Sequence, residues 1–137
     1  MSRILGIDYG ERRIGLAISD PLEIIAKPLK VLDRKIIPDY ISEILDIAAT
    51  QDVYIIVVGL PLTLKGGHSS QTKVVQDFID KLRQTGNISV VHIDERLSSV
   101  AAERSLQEQG VKTGHEKGRV DETAAAIILQ EYLDSKS

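Results

Sequence analysis

The feature that most constrains the fold is the run VYIIVV at residues 53–58, which is apolar at the positions that would face either side of a sheet. A strand with this pattern must be covered on both faces, which is typical of an interior strand in an α/β sheet. The run ends at Gly59-Leu60-Pro61, and a second apolar run at residues 88–93 predicts a further strand. The chain is therefore predicted to fold as an α/β protein.

Two strands near the start of the chain are predicted to form an antiparallel hairpin. Residues 3–8 (RILGID) and 13–19 (RIGLAIS) are apolar runs separated by Tyr9-Gly10-Glu11-Arg12. A third short strand is predicted near residues 29–32. The strands at 53–58 and 88–93 are expected to lie parallel to the first, because right-handed crossovers join strands that alternate with helices.

Four segments have apolar residues at helical spacing or a helix-forming composition. They are a segment with Ile37, Ile41, Ile44 and Ala48 and with Pro38 in its first turn, a segment with Val75, Phe78, Ile79 and Leu82 on one face, a segment at about 99–109, and a last segment at about 119–133. A polar connection is predicted at 110–118. Since 137 residues suit one domain, residues 1–137 are predicted to form a single domain, a mixed five-stranded sheet with helices on both faces.

Acidic residues fall where an α/β protein forms its site, beyond the carboxyl ends of parallel strands. Asp8 closes the first strand, Asp94 and Glu95 close the last, and Asp121 is predicted in the first turn of the final helix, on the face of its apolar residues. Carboxylates gathered in this way repel one another unless a cation bridges them or one is protonated. Oxygen ligands without cysteine suit hard cations such as Mg²⁺ or Mn²⁺, and two such ions can promote phosphodiester cleavage.

Each acid also has a structural explanation. Asp8 precedes Gly10 and could form a turn. Asp121 could complement the helix dipole, and Glu95 could form a surface ion pair with Arg96. The acids together are stronger evidence for a metal site than any one of them is.

The net charge of −3 argues against a protein that grips nucleic acid through a generally basic surface. Binding would need a local rim of basic residues near the acids, which would contact phosphates. The residues predicted to contact nucleic acid are Tyr9, which is placed to meet a base or sugar, and Arg12, Arg13, Lys65, Arg96 and Arg119.

A glycine- and serine-containing loop at residues 66–70 precedes a predicted helix. Its backbone N–H groups could hold a phosphate, or the loop could simply cap the helix. Other features exclude whole classes of protein. The chain has no cysteine, so it has neither a disulfide scaffold nor a thiolate metal site. No signal peptide or membrane span is predicted, and we expect a soluble, cytoplasmic protein that does not bind membranes.

Four motifs in order resemble the YqgF (RuvX) family. They are Gly6-Ile7-Asp8-Tyr9-Gly10 with residues 13–20 (RIGLAISD), Gly59-Leu60-Pro61, Asp94-Glu95-Arg96 with Ser98-Ser99, and Val120-Asp121 with Ala124-Ala125. The resemblance covers nearly the whole chain. It implies an RNase H-like fold akin to Holliday junction resolvases and a nuclease that matures the 5′ end of precursor 16S ribosomal RNA. It also implies that Asp8, Glu95 and Asp121 are the catalytic, metal-binding carboxylates.

One position departs from the wider group that the resemblance implies. Resolvases of the RuvC type have an acid at the end of the strand that here ends in Gly59-Leu60-Pro61. Glu95, one strand over, would substitute for this acid, and Asp94 is the alternative ligand.

Three hypotheses follow for the function. The first is an Mg²⁺- or Mn²⁺-dependent endonuclease acting on precursor 16S rRNA or a pre-ribosomal particle, as a monomer or weak dimer. The second is a resolvase of branched DNA, which would act as a dimer because a junction presents two symmetric strands. The third is a ribosome-assembly factor that binds precursor particles without cleaving them.

Overall fold

The structure is a computed structural model that describes residues 2–62, 67–95 and 114–136, with side chains in the last range described from residue 123 onward. In chain order, the described elements are β1 (Arg3–Tyr9), β2 (Arg13–Ser19), β3 (Ala26–Asp33), α1 (Tyr40–Thr50), β4 (Val53–Leu60), α2 (Ser70–Thr85), β5 (Ser89–Asp94) and α3 (Gly114–Lys136). The helix predicted at about 99–109 lies outside the described residues.

The strands form one five-stranded sheet in the order β3-β2-β1-β4-β5. β1 pairs with β2 antiparallel and with β4 parallel, and β5 pairs with β4 parallel. The predicted mixed sheet, its opening hairpin and the parallel direction of the two later strands are confirmed. The third strand is longer than predicted, because β3 pairs with β2 from Ala26 to Asp33, with one irregularity in the register between Pro28 and Lys30.

The sheet is covered on both faces, as the apolar pattern of residues 53–58 predicts. Successive side chains of a strand point to opposite faces. On β1, Leu5 and Ile7 join the core under α1 and α2, whereas Ile4 joins the core under α3. On β4, Ile56 and Val58 belong to the first core and Val57 to the second.

The helix α3 packs very closely on β1 at Gly6. A Cβ atom added to Gly6 would lie 2.7 Å from the Leu129 Cβ and 3.1 Å from the Ala125 carbonyl oxygen. Only a residue without a side chain fits here, which is a common reason for glycine inside a strand. The spacing between α3 and the sheet is therefore set by this glycine.

Side-chain caps fix the starts of two helices. α1 begins at Tyr40, because the Asp39 side chain accepts a hydrogen bond from the Ser42 N–H and caps the helix. Pro38 thus precedes the helix, and its predicted place in the first turn is wrong. At α2, Ser69 and Thr72 form a reciprocal capping box, so helix capping accounts for the described part of the loop at 66–70.

The last helix begins earlier than predicted, at Gly114 instead of about residue 119. The glycines and polar residues at 110–118 suggested a connection, but one glycine in a helix interior costs only about 1 kcal/mol, and packing of the later turns can offset this. Asp121 therefore lies in the third turn and not in the first. Because the helix dipole acts mainly on the first turn, the dipole explanation for Asp121 fails.

The helices in the part of the chain that the structure describes are all too short or too polar to cross a membrane.

We predict that Gly6→Ala destabilises the protein by about 1–3 kcal/mol, the usual cost of overpacking a core, because the new methyl group would press α3 away from β1. Urea unfolding measures the effect. The control is Val74→Ala on the exposed side of α2, where 45% of the residue is accessible and a change within about 0.5 kcal/mol is expected. Equal unfolding midpoints for the two variants would contradict the packing argument.

Candidate functional site

Asp8 lies near the carboxyl end of β1 and is only 5% exposed. Among the residues that the structure describes, it is the one buried residue with a charged side chain. Its strand position, two residues after Gly6, directs its side chain to the face covered by α3. A carboxylate at this depth requires hydrogen-bond partners or a cation that stabilise its charge. Its burial distinguishes Asp8 from a solvent-exposed turn former.

Glu95 directly follows β5, and its side chain lies over Gly59 of β4. A Cβ atom added to Gly59 would lie 2.8 Å from Glu95 Oε1, 3.2 Å from Glu95 Cγ and 2.6 Å from Ile128 Cδ1. Since Ile128 belongs to the core under α3, the Glu95 carboxylate lies on this same face. The side chain of Glu95 therefore reaches from the edge strand across to its neighbour.

Asp8 and the Glu95 carboxylate come together through the pairing of β1 with β4. Ile7 is paired with Val58 in parallel register, so Asp8 is level with Gly59 on the neighbouring strand. Neighbouring strands are about 4.8 Å apart. The structure thus brings two of the three predicted carboxylates to the same face at the carboxyl edge of the sheet.

The side chain of Asp94, the alternative to Glu95, is on the opposite face of the sheet from Asp8. It is paired with Leu60, and both Leu60 and Val90 belong to the core under α1 and α2. Strand alternation gives Asp94 that same face, away from Asp8. The geometry therefore favours Glu95 over Asp94 as the partner of Asp8.

The direction of α3 places position 121 at the same edge of the sheet. Lys136, at the end of α3, has its Nζ 3.5 Å from the hydroxyl of Tyr54, which lies at the start of β4. Ile128 lies over Gly59, near the end of β4. The helix thus runs antiparallel to β4, and position 121 is roughly 10 Å farther along the helix axis, toward or beyond the carboxyl edge.

The side chain of Asp121 is outside the described residues. Among the side chains that are described, no group of three or more His, Asp or Glu residues is arranged to hold a metal ion. The three-carboxylate site therefore remains a prediction.

Tyr9 does not lie with the acids, which corrects its predicted role in contacting a base or sugar. The ring is 7% exposed and stacks on Phe78 with 4.0 Å between ring centroids. Its hydroxyl is hydrogen-bonded to that of Tyr40 at 2.9 Å. Burial, together with this hydrogen bond, raises the pKa of Tyr9 well above its ordinary value. Strand alternation gives Tyr9 the face opposite to Asp8, so its ring is unavailable to nucleic acid.

The basic residues predicted to contact nucleic acid have different positions. Arg13 begins β2, two residues before Gly15, and Gly15 is paired with Asp8, so Arg13 shares the face of Asp8. Arg12 lies in the hairpin turn, where its exposed side chain is 3.6 Å from the Asp33 carboxylate. Lys65 and Arg96 are outside the described residues, and the same holds for the side chain of Arg119.

Arg34 forms hydrogen bonds to the hairpin turn between β1 and β2. This contact was not predicted from the sequence. Its guanidinium donates hydrogen bonds to the carbonyl oxygens of Gly10 and Glu11, at 3.0 and 2.7 Å. The same group lies 4.7 Å from the centroid of the Tyr9 ring, where a cation–π contact is favourable. No local pattern relates Arg34 to a turn more than 20 residues earlier, so only the tertiary structure reveals this contact.

Comparison with known proteins gives a consistent picture. The family model described as "RuvX: Holliday junction resolvase" matches residues 2–135. A relative from Chloroflexus aggregans is 47% identical over 133 residues, which cover 97% of this chain and 94% of the relative. One from Endomicrobium trichonymphae is 44% identical over 138 residues, which cover 100% of this chain and 99% of the relative. Both carry the name "Putative pre-16S rRNA nuclease".

Solved structures support the fold. Thermus thermophilus RuvC in complex with a Holliday junction substrate superposes with a TM-score of 0.59 at 13% identity, covering 99% of this chain and 96% of that one. The fowlpox virus Holliday junction resolvase superposes with a TM-score of 0.55 at 15% identity, covering 98% of this chain and 99% of that one. The predicted RNase H-like fold is thereby confirmed.

We predict that Arg34→Met lowers the free energy of unfolding by about 1–3 kcal/mol, because two backbone carbonyls lose a charged donor. Arg12→Met is the matched control. Its exposed ion pair should contribute at most about 1 kcal/mol. Urea unfolding compares the two variants, and amide hydrogen exchange at residues 10–13 should accelerate only in Arg34→Met. A larger loss for Arg12→Met would show that Arg34 does not hold the turn.

Proposed function

The chain belongs to the RuvX family, and from this premise we propose that it is a divalent-cation-dependent endonuclease that cleaves precursor 16S rRNA near its 5′ end. As a nuclease it is a hydrolase acting on phosphodiester bonds. We also propose that it acts in the cytoplasm, where such a substrate would be found.

The observation that carries the proposal is the meeting of Asp8 and Glu95 on one face of the sheet. Asp8 is buried at the carboxyl end of β1, and the Glu95 carboxylate lies over Gly59 of the adjacent strand. Sites in α/β sheets form at this edge. Carboxylates on adjacent strands of one face repel each other, and a bound cation would offset this repulsion, so their placement supports a metal site.

The donor set fits a hard cation. Asp8 and Glu95 offer carboxylate oxygens, and the sequence contains no cysteine that would favour a softer metal. We propose that these two residues and Asp121 hold Mg²⁺ or Mn²⁺. A bound ion of this kind can activate water and neutralise the charge that develops on the departing 3′ oxygen. The protein's own part is to hold the carboxylates in a fixed arrangement on strand ends.

The RNA backbone would lie along the edge of the sheet beside the hairpin turn. Arg13 shares the face of Asp8, and Arg12 is exposed in the adjoining turn. We propose that both contact phosphates, together with Lys65, Arg96 and Arg119. Because the net charge is −3, the basic groups must act locally, with the metal offsetting the acids.

A second candidate function is the resolution of branched DNA, which the description of the family model favours. The two candidates differ in their substrate and in the assembly they require. A resolvase cuts two symmetric strands and would act as a dimer, whereas an RNA endonuclease can act as a monomer or weak dimer. Light scattering at the concentration of the cleavage assay, with a branched-DNA substrate beside precursor rRNA, separates them.

We predict that Asp8→Asn lowers the rate of precursor rRNA cleavage roughly a hundredfold or more, because it weakens binding of the cation that would stabilise the negative charge of the transition state. Cleavage by the unmodified protein should require Mg²⁺ or Mn²⁺ and stop on addition of a chelator. The control is Asp46→Asn on the exposed side of α1, which should cleave normally. Circular dichroism checks that both variants fold.

Two outcomes would contradict the proposal. Normal cleavage by Asp8→Asn would exclude Asp8 from the site. If the unmodified protein binds precursor particles but cleaves neither substrate with either metal, a non-cleaving assembly factor becomes the better explanation.

A further inference from the structure

Gly59 lies directly beneath the carboxylate of Glu95. The position that a Cβ atom would take at Gly59 is 2.8 Å from Glu95 Oε1 and 2.6 Å from Ile128 Cδ1. Carbon and oxygen atoms in van der Waals contact are farther apart than this, so no side chain fits at residue 59 without moving its neighbours. The space next to the Gly59 Cα is already occupied by the Glu95 carboxylate and by the Ile128 Cδ1 methyl group.

The missing side chain, and not backbone freedom, explains why glycine is suited to this position. Gly59 lies in the regular part of β4, paired with Ile93 of β5, and its φ is outside the left-handed region. The residues before it, Val57 and Val58, are fully buried and typical of a strand. Glycine weakens a strand interior, and in such places it often allows another group to approach closely.

We infer that Gly59 is a positioning residue. Because it has no side chain, it leaves the space in which the Glu95 carboxylate lies beside Asp8. The inference rests on the proposed function, because it treats Glu95 as a metal ligand. Glu95 comes from the edge strand and must cross the neighbouring strand to reach Asp8. The backbone of Gly59 and the side chain of Ile128 border this space.

A methyl group at residue 59 would occupy this space and displace the Glu95 carboxylate. Because Glu95 follows the last residue of β5, its side chain can move away without breaking the pairing of β4 with β5. The expected effect is therefore on ligand placement more than on the fold. Loss of a group that orients a metal ligand commonly weakens metal binding tenfold to a hundredfold.

The test is Gly59→Ala made in an Ile128→Val background. Ile128→Val removes the Cδ1 atom that the new methyl would otherwise strike, so that the contact with Glu95 remains the main obstacle. Mn²⁺ binding to the protein without substrate is measured by calorimetry. Cleavage of precursor rRNA is then followed across Mn²⁺ concentrations. We expect Gly59→Ala to raise the Kd for Mn²⁺ roughly tenfold to a hundredfold relative to Ile128→Val alone.

A double-mutant cycle separates positioning from general damage. The Kd for Mn²⁺ is measured for Gly59→Ala with and without Glu95→Ala, all in the Ile128→Val background. If the methyl acts by displacing the carboxylate, Gly59→Ala should raise this Kd much less once Glu95 is truncated. An equal rise in both backgrounds, or an unchanged Kd for Mn²⁺ in the folded Gly59→Ala variant, would overturn the inference.

Failure of the proposed function would look different. If the Ile128→Val protein itself neither binds Mn²⁺ nor cleaves precursor rRNA, while the unmodified protein behaves in the same way, the metal site is absent and both proposals fall. If the Ile128→Val protein binds Mn²⁺ and cleaves, and Gly59→Ala changes neither property, the nuclease stands and only the role of Gly59 is rejected.

Discussion

The close approach of α3 to the sheet is the constraint on which the rest of the structure depends. It occurs at Gly6, where the Leu129 Cβ and the Ala125 carbonyl oxygen would lie 2.7 and 3.1 Å from an added Cβ. Without a side chain at this position, the helix can pack closely on β1 and bury its apolar face. The same helix carries Ile128, whose Cδ1 reaches Gly59 beside the Glu95 carboxylate. Packing of the core and construction of the site are therefore parts of one arrangement.

The two faces of β1 carry different kinds of residue, apolar core residues on one and the candidate metal ligand Asp8 on the other. Leu5, Ile7 and Tyr9 pack under α1 and α2, where Tyr9 stacks on Phe78 and carries the Arg34 guanidinium. Arg34 also donates hydrogen bonds to the Gly10 and Glu11 carbonyl oxygens of the hairpin turn. On the other face, Asp8 lies one residue before Tyr9 in the same strand and is buried. A buried carboxylate on a strand has little freedom to lose when it binds a cation, which favours a preorganised site.

Most of the fold could be predicted because hydrophobic periodicity is a local property. Residues 53–58 indicated an interior strand, and the spacing of Val75, Phe78, Ile79 and Leu82 indicated the buried face of α2, and the structure confirms both. Helix starts were less predictable, since they depend on which side chain accepts from the free N–H groups. Asp39 accepts one at α1, and glycines near residue 114 masked the start of α3.

By itself, the sequence determined the order of the described elements, the mixed sheet and the family, because strand and helix periods and ordered motifs are properties of neighbouring residues. It also singled out Asp8 as an acid at a strand end. Only the tertiary structure decided on which face of the sheet each side chain lies. It placed Tyr9 away from Asp8, favoured Glu95 over Asp94, and revealed Arg34 and Gly59 as supporting residues. The reason is physical: whether side chains meet depends on strand register and helix spacing, which join residues far apart in the chain.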